Sequence, residues 1–137
     1  MKKKPVVVFL CTHNSCRSQM AEAIAKMKYY NLIESYSAGT ELKDRVNQDA
    51  QRIIKDKYGY DMEKEGHKNK TIFDVPKPDV AIFMGCDIAC PAVPYEYSED
   101  WGLDDPTGLG DEMFLRTIAI IEEKMSELIK KLSINKG

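Results

Sequence analysis

The residue types that could carry chemistry here are a few thiols, an arginine and a hydroxyl. Cys11, Cys16, Arg17 and Ser18 share one short segment, and Cys86 and Cys90 form a second pair far along the chain. In Cys11-Thr12-His13-Asn14-Ser15-Cys16-Arg17-Ser18, a cysteine precedes a polar stretch that ends in arginine and serine. If that stretch curls into the start of a helix, unpaired backbone N–H groups and about half a unit of positive charge converge there. Thr12, His13, Asn14, Ser15, Cys16 and Arg17 are then candidate oxyanion-binding residues, and the Arg17 fork matches two oxygens of a tetrahedral oxyanion. The same donors stabilise a thiolate, the nucleophilic form of cysteine, so Cys11 is the candidate nucleophile. Ser18 is placed to donate a hydrogen bond to it. The bland alternative is a buried cysteine at a strand end with a surface arginine nearby.

The four cysteines leave three readings open. Two structural disulfides would need an oxidising compartment, to which nothing in the sequence points. A four-cysteine zinc site could use the C-x4-C and C-x3-C pairs, whose spacings are near, though not at, those usual for structural zinc. In the third reading the thiols react.

The reacting groups need elements to hold them. Val6–Leu10 is a continuous apolar run, as expected of a strand covered on both faces, and Cys11 falls just past its end. Ser18 opens a helical stretch reaching toward Tyr30, with Met20, Ala23, Ile24 and Met27 on one face. Ser35–Ala38 before Gly39 reads as a second strand. Val46, Ala50, Ile53, Ile54 and Tyr58 recur at helical spacing, with Asn47 early and Gly59 as a stop signal. Val80–Met84 is another buried strand, and Cys86 follows it. Phe114, Ile118, Ile121, Met125, Leu128 and Leu132 form the clearest amphipathic helix. Strands alternating with helices imply β-α-β units and a parallel sheet, with ligands bound at the carboxyl ends of the strands. Cys11 and Cys86 therefore meet at one edge.

At 137 residues with no repeat or linker, residues 1–137 are expected to form a single domain. The net charge of −2 gives no electrostatic footprint for nucleic acid, and no apolar run is long enough for a membrane span. No cleavage site follows Lys2–Lys4 and Val6–Leu10, so a cytoplasmic location is expected, and the protein is expected to be a monomer.

Val8-Phe9-Leu10-Cys11-Thr12-His13-Asn14-Ser15-Cys16-Arg17-Ser18-Gln19-Met20-Ala21-Glu22-Ala23 closely resembles the low-molecular-weight tyrosine phosphatase superfamily and, within it, the thioredoxin-coupled arsenate reductases. Tyr36-Ser37-Ala38-Gly39 and Trp101-Gly102-Leu103-Asp104-Asp105-Pro106 resemble the reductases in the same order, with the likeness weakest between Glu41 and Pro78. The resemblance implies an α/β, Rossmann-like fold with a central four-stranded parallel sheet flanked by helices on both faces. It further implies that Cys11 attacks arsenate held by the loop and Arg17, while Asp105 protonates the leaving oxygen. Cys86 then attacks Cys11 and releases arsenite, and Cys90 moves the disulfide to Cys86–Cys90 for a thioredoxin- or glutaredoxin-type donor to reduce. No tightly bound cofactor is implied. A potassium ion at Asn14, Glu22 and Ser37 is, with Asn69 a candidate fourth partner.

Cys86-Asp87-Ile88-Ala89-Cys90-Pro91 separates this reading from a phosphatase using Cys11, Arg17 and Asp105, which has no use for further thiols. A third reading is a non-catalytic oxyanion- or metalloid-binding module. The gap between Cys86 and Cys90 is shorter than in the reductases that the chain resembles. Four residues along a helical turn separate Cα atoms by about 6 Å, inside the disulfide range. The donor and the order of attack stay open. His13 stands where related loops have glycine, and its side chain is expected to point to solvent. His67 reads as part of a charged loop with no function, and Trp101 as partly buried.

Overall fold

The computed structural model describes residues 4–11, 14, 16–39, 46–85 and 97–135. Four parallel strands, β1 (Val6–Cys11), β2 (Glu34–Gly39), β3 (Val80–Phe83) and β4 (Tyr97–Asp100), form one sheet in the order β2-β1-β3-β4. Helix α1 (Arg17–Lys28) joins β1 to β2, helix α2 (Gln48–Tyr58) and a 3-10 turn at Ile72–Asp74 lie between β2 and β3, and helix α3 (Asp111–Asn135) follows β4. This is the expected α/β fold with a four-stranded parallel sheet. Among the described residues no helix is long and apolar enough to cross a membrane.

All six residues of β1 are buried, because the strand lies between β2 and β3 and is covered on both faces. Val7, Phe9 and Cys11 point into a core shared with α1, α2 and α3. Val6, Val8 and Leu10 point the other way, onto Ala38, Ala81 and the partly buried Tyr36, Ile72, Val75 and Phe83. The described helical cover on that face is the 3-10 turn.

Phe114, Ile118, Ile121, Met125 and Leu128 of α3 are buried as the apolar spacing predicts. In α2 the Asn47 side chain accepts from the Ala50 N–H at 3.0 Å, and Gly59, at φ +73°, closes the helix by donating to the Lys55 carbonyl. Helix α1 starts one residue before Ser18 and is buried on every side from Arg17 to Ala25, because it packs on β1, β2, α2 and α3 together. Strand β4 carries no apolar pattern: Tyr97-Ser98-Glu99-Asp100 is a half-exposed edge, held through its backbone pairing to β3 and by Trp101, which packs on Phe9.

The strand order reverses at β1, with β2 on one side and β3 on the other. The carboxyl ends of β1 and β3 thus lie side by side at the point of reversal, where ligands bind in sheets of this kind, and Cys11 ends β1 there.

Candidate active site

Cys11 ends β1 as a buried free thiol, and its Sγ lies 2.8 Å from Ser18 Oγ in the first turn of α1. Asn14 Nδ2 donates to that same Oγ at 2.9 Å, which leaves the Ser18 proton to point at sulfur. Asn14 has φ +52°, a left-handed conformation that asparagine tolerates better than most residues, and it is fully buried. Several donors hold it there. Its backbone carbonyl accepts from Gln19 Nε2 (3.1 Å) and Asn69 Nδ2 (2.9 Å), and its Oδ1 accepts from Gln19 Nε2 (3.0 Å) and the Lys70 N–H (2.7 Å).

Arg17 is buried at the helix start. Its Nη1 donates to the carbonyls of Met84 (3.2 Å), Gly85 (2.6 Å) and Leu103 (2.9 Å), so the exits of β3 and β4 fix one edge of the guanidinium. Nη2 lies 3.9 Å from Asp105 Oδ2, whose side chain is one-third exposed. The Asp105 turn is made by Thr107, whose N–H and Oγ1 both donate to Oδ1 at 3.0 and 2.7 Å. Gly85 has φ +87°, and a Cβ there would come within 2.5 Å of the Leu103 carbonyl oxygen and 3.3 Å of Arg17 Nη1. Only glycine fits between the two loops that grip the arginine. Cys16 precedes α1 as a second buried free thiol. Burial pushes its thiol well above the ordinary range, with further upward pushes from Asp105 and Cys11, so it stays protonated. That describes a structural thiol.

Glu22 and Ser37 of the expected cation set do meet: Ser37 Oγ donates to Glu22 Oε1 at 2.5 Å. The set is already filled by protein donors, however. Lys70 Nζ sits 3.2 Å from Glu22 Oε1, Lys26 Nζ sits 2.6 Å from Oε2, and Asn14 Oδ1 accepts the two N–H groups named above. Asn69 Nδ2 donates to the Asn14 carbonyl at 2.9 Å. These residues do not fit a potassium ion while the Lys70 ammonium is there. Burial opposes charge on Glu22, but Lys70, His67 and Lys26 outweigh it and hold its carboxyl below the usual range.

His67 corrects the expectation of an idle loop histidine. Its side chain is 1% exposed, Nδ1 is 2.9 Å from Gln19 Oε1, and Nε2 is 2.7 Å from the Tyr60 hydroxyl. Gln19 Nε2 donates to Asn14 and to the Lys68 carbonyl, so its Oε1 accepts and His67 carries its proton on Nδ1. Burial pulls the imidazole down to about 4, below its ordinary value, so it is neutral at pH 7. Residues 67–70 thus brace the loop from outside. A run of histidine, asparagine and two lysines gave no apolar period to find them by. Gln19 and Glu22, polar residues inside the buried segment of α1, are the positions that call for such partners.

The structure therefore brings Cys11, Asn14, Cys16, Arg17, Ser18 and Asp105 together. Thr12, His13, Ser15, Cys86 and Cys90 lie outside the described residues, so their expected roles rest on the sequence. What is described is a buried cysteine ending a strand at the carboxyl edge of a parallel sheet, hydrogen-bonded to a serine in the first turn of the next helix and close to a buried arginine, as the class of cysteine enzymes with a strand-to-helix oxyanion loop requires.

The comparisons carry this class to a family. Residues 6–136 match the low molecular weight phosphotyrosine protein phosphatase family, and the chain belongs to it. A protein named glutaredoxin arsenate reductase from Synechocystis is 36% identical over 136 residues, which span 97% of this chain and 100% of the relative. An arsenate reductase from Brevibacillus brevis is 34% identical, with 97% of each chain covered. A solved arsenate reductase in a phosphate-binding state superposes with a TM-score of 0.81 at 33% identity, covering 93% of this chain and 98% of that one.

Proposed function

We propose that this protein is an arsenate reductase that forms a thiol–arsenate adduct at Cys11 and passes the resulting oxidation through Cys86 and Cys90. The observation that carries this reading is the full-length likeness to proteins named arsenate reductase, in a chain with two cysteines to spare beyond its oxyanion loop.

The first step needs a nucleophile, an oxyanion cradle and a proton. The Ser18 hydroxyl on Cys11 Sγ stabilises the thiolate, and the α1 N-terminus with Arg17 receives the oxyanion. The Cys11 thiolate bonds to arsenic and one arsenate oxygen leaves as water. Asp105 is the proposed donor of that proton, at the mouth beside Arg17. The Cys86 thiolate then attacks Cys11 Sγ. The sulfur–arsenic bond breaks with its electron pair left on arsenic, so As(V) becomes As(III), arsenite departs and Cys11–Cys86 forms. Attack by Cys90 on Cys86 releases the Cys11 thiolate and leaves Cys86–Cys90. A dithiol or glutathione-type donor returns that disulfide to thiols. The name of the Synechocystis relative supports a glutaredoxin-type donor, and the family resemblance supports thioredoxin.

One specific observation favours a second reading. The family match is to phosphotyrosine phosphatases, and the Cys11, Arg17 and Asp105 geometry serves a phosphate monoester equally well. Arsenate-dependent NADPH oxidation, supplied through thioredoxin or through glutaredoxin and glutathione, separates the two when run beside p-nitrophenyl phosphate hydrolysis. Arsenate turnover lost in Cys86→Ser supports the reductase. Hydrolysis alone, untouched by that substitution, supports the phosphatase.

A further inference from the structure

The loop resembles one that is braced by a bound potassium ion, yet the cation found beside it belongs to the chain. We propose that Lys70 supplies from within the fold the positive charge that the resemblance assigns to potassium, and so frees the nucleophile loop from any need for that ion. An ion in such a place would draw Asn14, Glu22 and Ser37 together. Lys70 does this with two of its own atoms: its backbone N–H donates to Asn14 Oδ1 at 2.7 Å, and its Nζ lies 3.2 Å from Glu22 Oε1. Ser37 closes the group through its hydrogen bond to the same Glu22 oxygen.

Three features distinguish this contact from a surface ion pair. The Lys70 side chain is 12% exposed and that of Glu22 only 2%, so water screens the pair weakly. The ammonium also reaches the Lys68 carbonyl at 3.2 Å, giving it two oxygen acceptors, as a bound cation would have. The Lys70 backbone is fixed too, since its carbonyl accepts the Gly39 N–H at 2.9 Å and Thr71 bridges Gly39 at the end of β2. Lys26 binds the other Glu22 oxygen, but its side chain is 40% exposed and among the described contacts it does not reach Asn14. Among the described residues, Lys70 is the one that touches both the Glu22 carboxylate and Asn14, the residue that orients Ser18 and, through it, Cys11.

The test compares thermal melting in KCl and in NaCl at equal ionic strength, together with affinity for inorganic phosphate by titration calorimetry. The unaltered protein should melt at the same temperature in both salts and bind phosphate equally in both. Lys70→Ala removes the charge and opens the space, so it should melt about 3–6 °C lower in NaCl. Potassium should restore much of that loss and severalfold of phosphate affinity. Lys70→Met keeps the space filled without charge and should be destabilised with no response to potassium, while Lys70→Arg should remain insensitive to the choice of salt. A higher melting temperature in KCl for the unaltered protein would overturn the proposal even if every variant misfolded. So would a Lys70→Ala protein that folds and ignores potassium. Neither readout involves turnover, so the result stands apart from whether arsenate or a phosphate ester is the substrate.

Discussion

Ser18 carries more than its size suggests, because its hydroxyl accepts from Asn14 and faces the Cys11 sulfur at once. Ser18→Ala keeps the backbone and deletes the donor. It should lower kcat by about 10-fold, in line with a lost hydrogen bond to a charged group, with an unchanged circular dichroism spectrum. Arg17→Lys is harsher than the retained charge implies. Lysine cannot donate to three carbonyls along one edge while presenting a planar fork to an oxyanion. A fall of about 100-fold in kcat/KM is expected in steady-state assays. His67 yields a prediction in pH. Its folded value of about 4 lies below the ordinary 6.5, so the neutral form is the one the fold prefers. The associated stability is complete above pH 6.5 and lost as pH falls toward 4, amounting to about 3 kcal/mol at most. Glu22, also depressed, loses its contribution below the usual carboxylate range. Urea unfolding of His67→Gln should therefore show a flatter stability profile than the unaltered protein between pH 6.5 and 4. Identical slopes would mean that the imidazole is not held neutral.

At the level of elements, what could be read from the sequence followed from how each element is buried. Helix α3 lies on a core with one side, so its apolar residues recur at helical spacing and its register was plain. Helix α2 announced its ends through Asn47 and Gly59, and Asn47→Ala should cost about 1 kcal/mol in chemical denaturation. Strand β4 could not be found by pattern. An exposed edge needs backbone pairing rather than apolar alternation, and Glu99 finds its partners in Tyr97, Trp101 and Lys131. The His67–Lys70 brace was equally hidden, because side chains buried through hydrogen bonds look like an exposed polar run. Gly85 joins β3 to the arginine. Gly85→Ala would force a Cβ against the Leu103 backbone in a left-handed conformation, and should weaken phosphate binding severalfold while lowering stability by about 1–3 kcal/mol.

For the whole molecule, the fold explains why so much of the site is legible in a few residues. One strand-to-helix connection contributes the proposed nucleophile, its hydroxyl partner and the arginine, so neighbours in sequence are neighbours in space. Asp105 and Gly85 come from the exits of other strands and were approachable only through resemblance or not at all. The cysteines proposed for the relay, Cys86 and Cys90, fall in sequence between β3 and β4, and their roles rest on residue type and position in the sequence. If the relay runs as proposed, Cys90→Ser should reduce one arsenate per chain and then stall with a Cys11–Cys86 disulfide visible by peptide mass spectrometry. Unchanged steady-state turnover would remove Cys90 from the sequence of attacks.

The most direct test of the central claim is arsenate-dependent NADPH oxidation by the unaltered protein and by Cys86→Ser, with each donor system in turn. Turnover by the first and none by the second, with phosphate-ester hydrolysis slow in both, is the predicted result. Rapid ester hydrolysis by both proteins, with no arsenate-dependent oxidation under either donor, would contradict it.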